Sequence, residues 1–230
     1  MNKHILINGA SSGIGRSLAV LLAHKGYTLS LCGRQPDKLQ TTLASLPVEQ
    51  VNLSAHFCVS DAEAVADFVT KANENRPVDI LINSVGLNNS REQAKDVPID
   101  TLAWQMNVNC YAPIRFMQAQ VPYMQTKSAG CIVNVLSTVC LYSNEGIAAY
   151  TASKAALDAY TKVMRKELRE DNIKLLSVYP GGVNTEFRPA ERPQYLSAND
   201  VASAIINMIE TPDNVHFHEL VLRPQSESNF

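Results

Sequence analysis

Short apolar runs alternate with amphipathic stretches along most of the chain. Residues 4–8 (HILIN) predict a buried strand, and residues 14–26 a helix that stops at Gly26. Residues 27–33 predict a second strand, and residues 36–46 a helix with Pro36 in its first turn. A third strand is expected at 55–59, followed by a capping box from Ser60 to Glu63 ahead of a helix beginning at Ala64. Residues 78–86 predict a fourth strand. A long helical stretch over 99–126 contains Pro113 and Pro122, which are expected to bend or interrupt it. Further strands are expected at 130–137, 173–181 and 218–224, and helices at 148–170 and 197–210.

Continuous apolar strands, each followed by a helix, imply a parallel sheet covered on both faces. Right-handed crossovers make it a doubly wound, Rossmann-type α/β fold with seven strands. The 230 residues suit one domain spanning 1–230 better than two small ones. No repeat or linker interrupts the pattern, and the only long irregular stretch is 182–196. The chain stops soon after its last strand, so no C-terminal extension is expected to shape a pocket.

Charge and composition narrow the function. A formal net charge of -2, without a long run of one sign, predicts neither a nucleic-acid footprint nor a basic membrane patch. The apolar run at the N-terminus is too short to span a membrane. Five scattered cysteines (Cys32, Cys58, Cys110, Cys131, Cys140) without Cys-x-x-Cys spacing suit a reduced cytoplasm, as small buried side chains. His216 and His218 fit one face of a strand but lack a third ligand, so no metal site is expected.

In such a sheet, ligands sit outside the carboxyl ends of the strands. The loop NGASSGIG (8–15) carries Gly9, Gly13 and Gly15 between the first strand and the first helix. Its glycines allow a phosphate close to the backbone, and the helix start offers free N–H groups. A tight turn without a ligand is the competing reading. The second strand ends at Gly33 and Arg34, with no acid before Asp37. An arginine there suits a ribose 2′-phosphate better than a free hydroxyl, which favours NADP(H) over NAD(H); a solvated loop arginine is the alternative. NSVG (83–86) and YPGGVNTEF (179–187) are turn sequences at later strand ends. After the fifth strand, Ser137 lies thirteen residues before Tyr150, with Ser143 further along the loop; Tyr150 and Lys154 share a helix face in AAYTASKAAL (148–157). Tyr123 and Lys127 repeat the same spacing, so spacing alone does not identify a catalytic pair.

Taken together, these motifs resemble the short-chain dehydrogenase/reductase family over nearly the whole chain. NGASSGIG is similar to the family's Thr-Gly-x-x-x-Gly-x-Gly loop, NSVG to Asn-Asn-Ala-Gly, NVNCYA (107–112) to the segment holding an active-site asparagine, and YPGGVNT to the Pro-Gly motif beside the nicotinamide. The resemblance implies a catalytic set of Ser137, Tyr150, Lys154 and Asn109. It implies cofactor contacts from Gly9, Ser11, Ser12, Gly13, Ile14, Gly15, Arg34, Cys58, Val59, Asn83, Val85, Gly86, Tyr150, Lys154, Pro180, Gly181, Val183 and Thr185. Asn8, Ser84 and Val85 are mild departures from the family pattern. Cys58 stands where the family has an aspartate that contacts the adenine amino group. Backbone at Val59, or the Asp61 carboxylate, is the expected substitute.

The implied chemistry is hydride transfer between NADP(H) and a small-molecule carbonyl or alcohol substrate. Tyr150 is the proton donor or acceptor, Lys154 its electrostatic partner and a ligand of the nicotinamide ribose, Ser137 a hydrogen-bond donor to the substrate oxygen, and Asn109 the holder of a relay water. The rival is a cofactor-sensing protein on the same fold without turnover. Tyr123 and Lys127 precede a strand rather than follow one, and read as the frayed end of a surface helix. Glu186, Arg188, Glu191 and Arg192 suit either a polar substrate or a solvated loop face. Assembly into a homodimer or homotetramer is expected through helices around 100–125 and 148–170. The alanines Ala148, Ala149, Ala152, Ala155, Ala156 and Ala159 equally suit packing against the chain's own sheet.

Overall fold

The computed structural model describes residues 3–187 and 190–228. The first half runs β1 (His4–Asn8), α1 (Gly13–His24), β2 (Thr28–Gly33), α2 (Pro36–Leu43), β3 (Val51–His56), α3 (Ala62–Asn75) and β4 (Ile80–Asn83). The second runs α4 (Ile99–Met106), α5 (Ala112–Lys127), β5 (Gly130–Val135), α6 (Ala148–Glu167), β6 (Ile173–Pro180), the short pair β7 (Val183–Asn184) and β8 (Leu196–Ser197), α7 (Ala198–Ile209) and β9 (Glu219–Leu222). Seven strands form one parallel sheet in the order β3-β2-β1-β4-β5-β6-β9. The order reverses between β1 and β4, which opens a crevice at their carboxyl ends.

Alternation along each strand feeds two cores. Ile5 and Ile7 pack with Leu18 of α1 and Val201 and Ile205 of α7, while Leu6 packs with Phe68 of α3, Phe116 of α5 and Leu157 of α6. The sheet is therefore buried on both faces, which is why its central strands read as unbroken apolar runs.

One polar row crosses this apolar sheet. Asn8, Asn83 and Asn134 are register partners on β1, β4 and β5. Asn8 donates to Asn83 at 2.5 Å, Asn83 to Asn134 at 2.7 Å, and Asn134 to Thr161 on α6 at 2.8 Å. The Asn8 oxygen accepts the backbone N–H groups of Ser84 and Val85 at 3.0 and 3.1 Å. Buried amides are costly unless paired, so this chain fixes the relative positions of three strand ends and the helix behind them.

Several boundaries differ from expectation, and four of them have a clear physical reason. The third strand is Val51–His56 rather than 55–59. It is the edge strand, half-exposed and alternating, so it carries no continuous apolar run. The cap of α3 is Asp61, whose carboxylate accepts from the N–H groups of Glu63 and Ala64, both at 3.0 Å; Ser60 lies one residue too early. The 99–126 stretch breaks at a π-helical turn, Asn107–Tyr111, rather than at a proline. Pro113 sits in the first turn of α5, where a missing N–H costs nothing, and Pro122 stays inside that helix. Finally, α5 is regular through Lys127, which ion-pairs with Asp79 at 2.6 Å; the helix end is anchored rather than frayed. His216 and His218 lie in the loop before β9 with their rings edge to face, 4.7 Å between centroids. Among the described residues, no group of three or more metal-ligating side chains occurs and no helix is long and apolar enough to cross a membrane.

Candidate active site

A cavity of ≈ 720 Å³ lies along the carboxyl ends of the strands. Its first wall is the glycine loop, through Gly9, Ser11, Ser12, Gly13 and Ile14. Gly9 has φ +74°, and a Cβ there would come within 2.8 Å of the Val85 nitrogen, so only glycine fits. Behind it, a Cβ on Gly15 would come within 2.3 Å of the Gly9 carbonyl oxygen, so α1 sits directly against the loop. The α1 start is also open, as are the starts of α5 and α6. Asp61 caps α3 and Ser197 caps α7 by accepting backbone N–H groups, whereas Ser12 makes no side-chain cap to α1 and no acid lies in its first turn. The first-turn N–H groups and positive dipole end of α1 are thereby left for an anion in the cavity.

Arg34 and Lys38 line the next stretch of wall, beyond β2. Lys38 forms an ion pair with Glu186 across the cavity mouth, while Asp37 does not reach it. Cys58 and Val59 line the wall beyond β3; the Cys58 sulfur lies 3.0 Å from the Ser60 hydroxyl. Asp61, engaged at the α3 start, is not among the lining residues, whereas Val59, the other expected substitute, is.

At the far end, Ser137, Tyr150 and Lys154 line the same cavity. Tyr150 and Lys154 project from one face of α6, and both are buried. The Lys154 ammonium donates to the Val135 carbonyl at 2.9 Å. Burial lowers its pKa to about 8, so it remains mostly charged near neutrality. Gly86 leaves it room, since a Cβ there would come 3.3 Å from Nζ. Ser137 begins the turn after β5 and accepts from the Val139 N–H at a long 3.3 Å, which leaves its own O–H to donate. The Phe187 ring stands 5.8 Å from the Tyr150 ring.

Three of the residues expected at the site lie behind the wall instead. Gly15 supports the loop and Asn83 belongs to the buried amide row. Asn109, fully buried within the π-helical turn, clamps the loop after β4: its oxygen accepts the Leu87 N–H at 2.8 Å, and its amide donates to the Leu87 carbonyl at 2.8 Å and to Ser153 at 2.9 Å. Ser153 in turn donates to the Tyr150 carbonyl at 2.8 Å. Of the charged residues in the irregular stretch, Glu186 lines the cavity; Arg192 lies over the Tyr195 ring and does not, nor does Glu191. Arg188 lies outside the described residues. The α6 alanines divide, with Ala149 buried and Ala152, Ala155 and Ala159 exposed.

The C-terminal segment corrects another expectation. Glu227 and Ser228 line the cavity, so the residues after β9 do shape the pocket. No sequence motif marks them; the only available signal is a carboxylate set four residues after Arg223.

Known proteins resemble this chain in sequence and in fold. A family model described as short chain dehydrogenase matches residues 3–196. An uncharacterized oxidoreductase of Staphylococcus aureus is 30% identical over 227 residues, covering 97% of each chain. The crystal structure of an alcohol dehydrogenase from the archaeon Thermococcus sibiricus, complexed with 5-hydroxy-NADP, superposes with a TM-score of 0.91 at 27% identity, covering 99% of both chains. Serine dehydrogenase from Escherichia coli shares the fold at a TM-score of 0.88 and 22% identity, covering 98% of this chain and 99% of that one.

Proposed function

Since the chain belongs to the short-chain dehydrogenase/reductase family, we propose that it is an oxidoreductase that moves a hydride between NADP(H) and a carbonyl or alcohol group. The observation that carries this reading is one continuous cavity that runs from Cys58 and Arg34, past the uncapped start of α1, to Ser137, Tyr150 and Lys154. The cavity fits such a cofactor. The space kept by Gly9 and Gly86, the open N–H groups of α1 and the Arg34 guanidinium suit a long ligand with anionic groups at two places along it. Gly13, Val85, Pro180, Gly181, Val183 and Thr185 complete its walls. The NADP derivative bound to the archaeal relative supports the same assignment.

Bound NADP(H) supplies the hydride. The Tyr150 hydroxyl gives its proton to the substrate oxygen in reduction and takes it back in oxidation. A free tyrosine, with a pKa of about 10, is a poor base at neutral pH. The buried Lys154 cation on the same helix face places positive charge where it stabilises a phenolate formed at Tyr150. The Ser137 hydroxyl donates to the same substrate oxygen and stabilises charge developing on it. The hydrogen bonds of Asn109 support a positioning role for its side chain, which braces the Leu87 loop and, through Ser153, the start of α6.

Arg34 carries the preference for the phosphorylated cofactor in this reading. Arg34→Ala should weaken NADPH binding about tenfold, the worth of one charge-assisted contact, and leave NADH binding within about twofold. A fluorescence titration showing equal losses for both cofactors would remove Arg34 from that role.

A homodimer or homotetramer is part of the proposal, supported by the exposed Ala152, Ala155, Ala159 and Val163 along α6, and sedimentation equilibrium would report it. Five free cysteines support a reducing, cytoplasmic setting, which cell fractionation would check.

A further inference from the structure

Gly181 and Gly182, expected from sequence to turn the chain after β6, with Gly181 also expected to contact the cofactor, make a socket as well. The Gly182 N–H donates to Glu227 Oε1 at 2.7 Å. A Cβ on Gly181 would come within 2.4 Å of Glu227 Oε2, so the carboxylate occupies the space which that missing side chain leaves. The second oxygen, Oε2, is buried and faces the Arg223 guanidinium at 3.4 Å. Arg223 in turn lies 5.1 Å from the centroid of the Tyr142 ring, in the loop after β5. The Ser226 hydroxyl donates to the Gln194 carbonyl at 3.2 Å. One short tail thus touches three loops around the Tyr150 end of the cavity, and Glu227 and Ser228 themselves line it.

We propose that Glu227 is a positioning residue: its carboxylate, paired with Arg223, pegs the C-terminal tail into the Gly181–Gly182 turn and makes the tail a wall of the substrate end. This deepens the reading of the cavity as a nicotinamide-dependent oxidoreductase site and rests on it. Burying a carboxylate against one N–H and one guanidinium is favourable only if both partners hold still. The peg therefore restricts the turn that faces the reacting end and the loop that carries Tyr142. Glu227→Gln keeps an acceptor oxygen for Gly182 and gives up the ion pair; Glu227→Ala gives up both.

Two measurements on the full chain test this. Hydrogen–deuterium exchange without cofactor reads the peg directly: the Gly182 amide should be protected in the wild type and in Glu227→Gln, and exposed in Glu227→Ala. Steady-state kinetics with NADPH and an accepted carbonyl compound read its consequence. Glu227→Ala should lower kcat/KM about tenfold, mainly through KM for the carbonyl, the loss expected for one hydrogen bond to a charged group. NADPH affinity should stay within about threefold, and Glu227→Gln should recover at least half of the loss. Unchanged exchange in Glu227→Ala overturns the proposal, as do wild-type kinetics in that variant. An equal fall in carbonyl KM, NADPH affinity and Tm would reduce Glu227 to a structural role and overturn it as well. If the wild type turns over no carbonyl, the oxidoreductase reading fails, and the exchange result alone decides the peg.

Discussion

Tyr150→Phe should lower NADPH-dependent carbonyl reduction by about 10³-fold, or about 4 kcal/mol in the barrier, because it removes the only proton this account delivers to the substrate oxygen. The substitution is nearly isosteric. The buried ring, its contact with Phe187 and the Lys154 bond to Val135 all persist, so the variant should fold. Cofactor affinity should change by less than about threefold, since the anion-facing groups are the α1 start and Arg34 rather than the Tyr150 hydroxyl. Stopped-flow turnover beside an NADPH titration separates the two effects. Wild-type turnover in Tyr150→Phe contradicts the assignment of Tyr150, and a matching loss of NADPH affinity contradicts its being a chemical rather than a binding effect.

The second large effect is expected at Gly9. Alanine there must adopt φ +74°, which costs an L-residue about 1–2 kcal/mol, and its Cβ would press on the Val85 and Ser84 backbone. Those atoms cannot yield easily. The N–H groups of Ser84 and Val85 are held by the buried Asn8 oxygen, itself part of the amide row. The loop must move instead, and with it the α1 start. Gly9→Ala should therefore weaken NADPH binding by about 100-fold and destabilise the fold by about 3 kcal/mol, combining αL strain with overpacking. Isothermal titration and urea unfolding measure the two quantities. Unimpaired NADPH binding in a folded variant would show that the glycine loop is a tight turn without a ligand, the alternative that sequence left open.

Much of this architecture is legible in the chain because burial on both faces writes central strands as apolar runs, and loops after them must hold whatever binds. Ser137 lies at such a strand end; the family resemblance joins it to Tyr150 and Lys154, and the three line one cavity. Tyr123 and Lys127 share the spacing but lie elsewhere, with Lys127 engaged by Asp79. What stayed hidden has physical reasons. Edge strand β3 is half-exposed, so its apolar signal is weak. The residue type of Asn109 suggests chemistry, yet the direction of its side chain is set by a π-helical turn that no periodicity announces. Asn8 and Asn83 look like ordinary turn residues until the register aligns them with Asn134. Glu227 meets Gly182 across 45 residues of sequence, a contact that only the folded chain defines.

The central claim is hydride transfer, and isotope transfer tests it most directly. NADPH deuterated at C4 of the nicotinamide, on both faces, would be incubated with the protein and a panel of aldehydes and ketones, and the alcohols analysed by mass spectrometry. Hydride transfer predicts one deuterium, bound to carbon, in the alcohol formed from at least one carbonyl, and none with Tyr150→Phe on the same time scale. Tight NADPH binding with no deuterium in any alcohol would contradict it and identify a cofactor-sensing protein on the same fold.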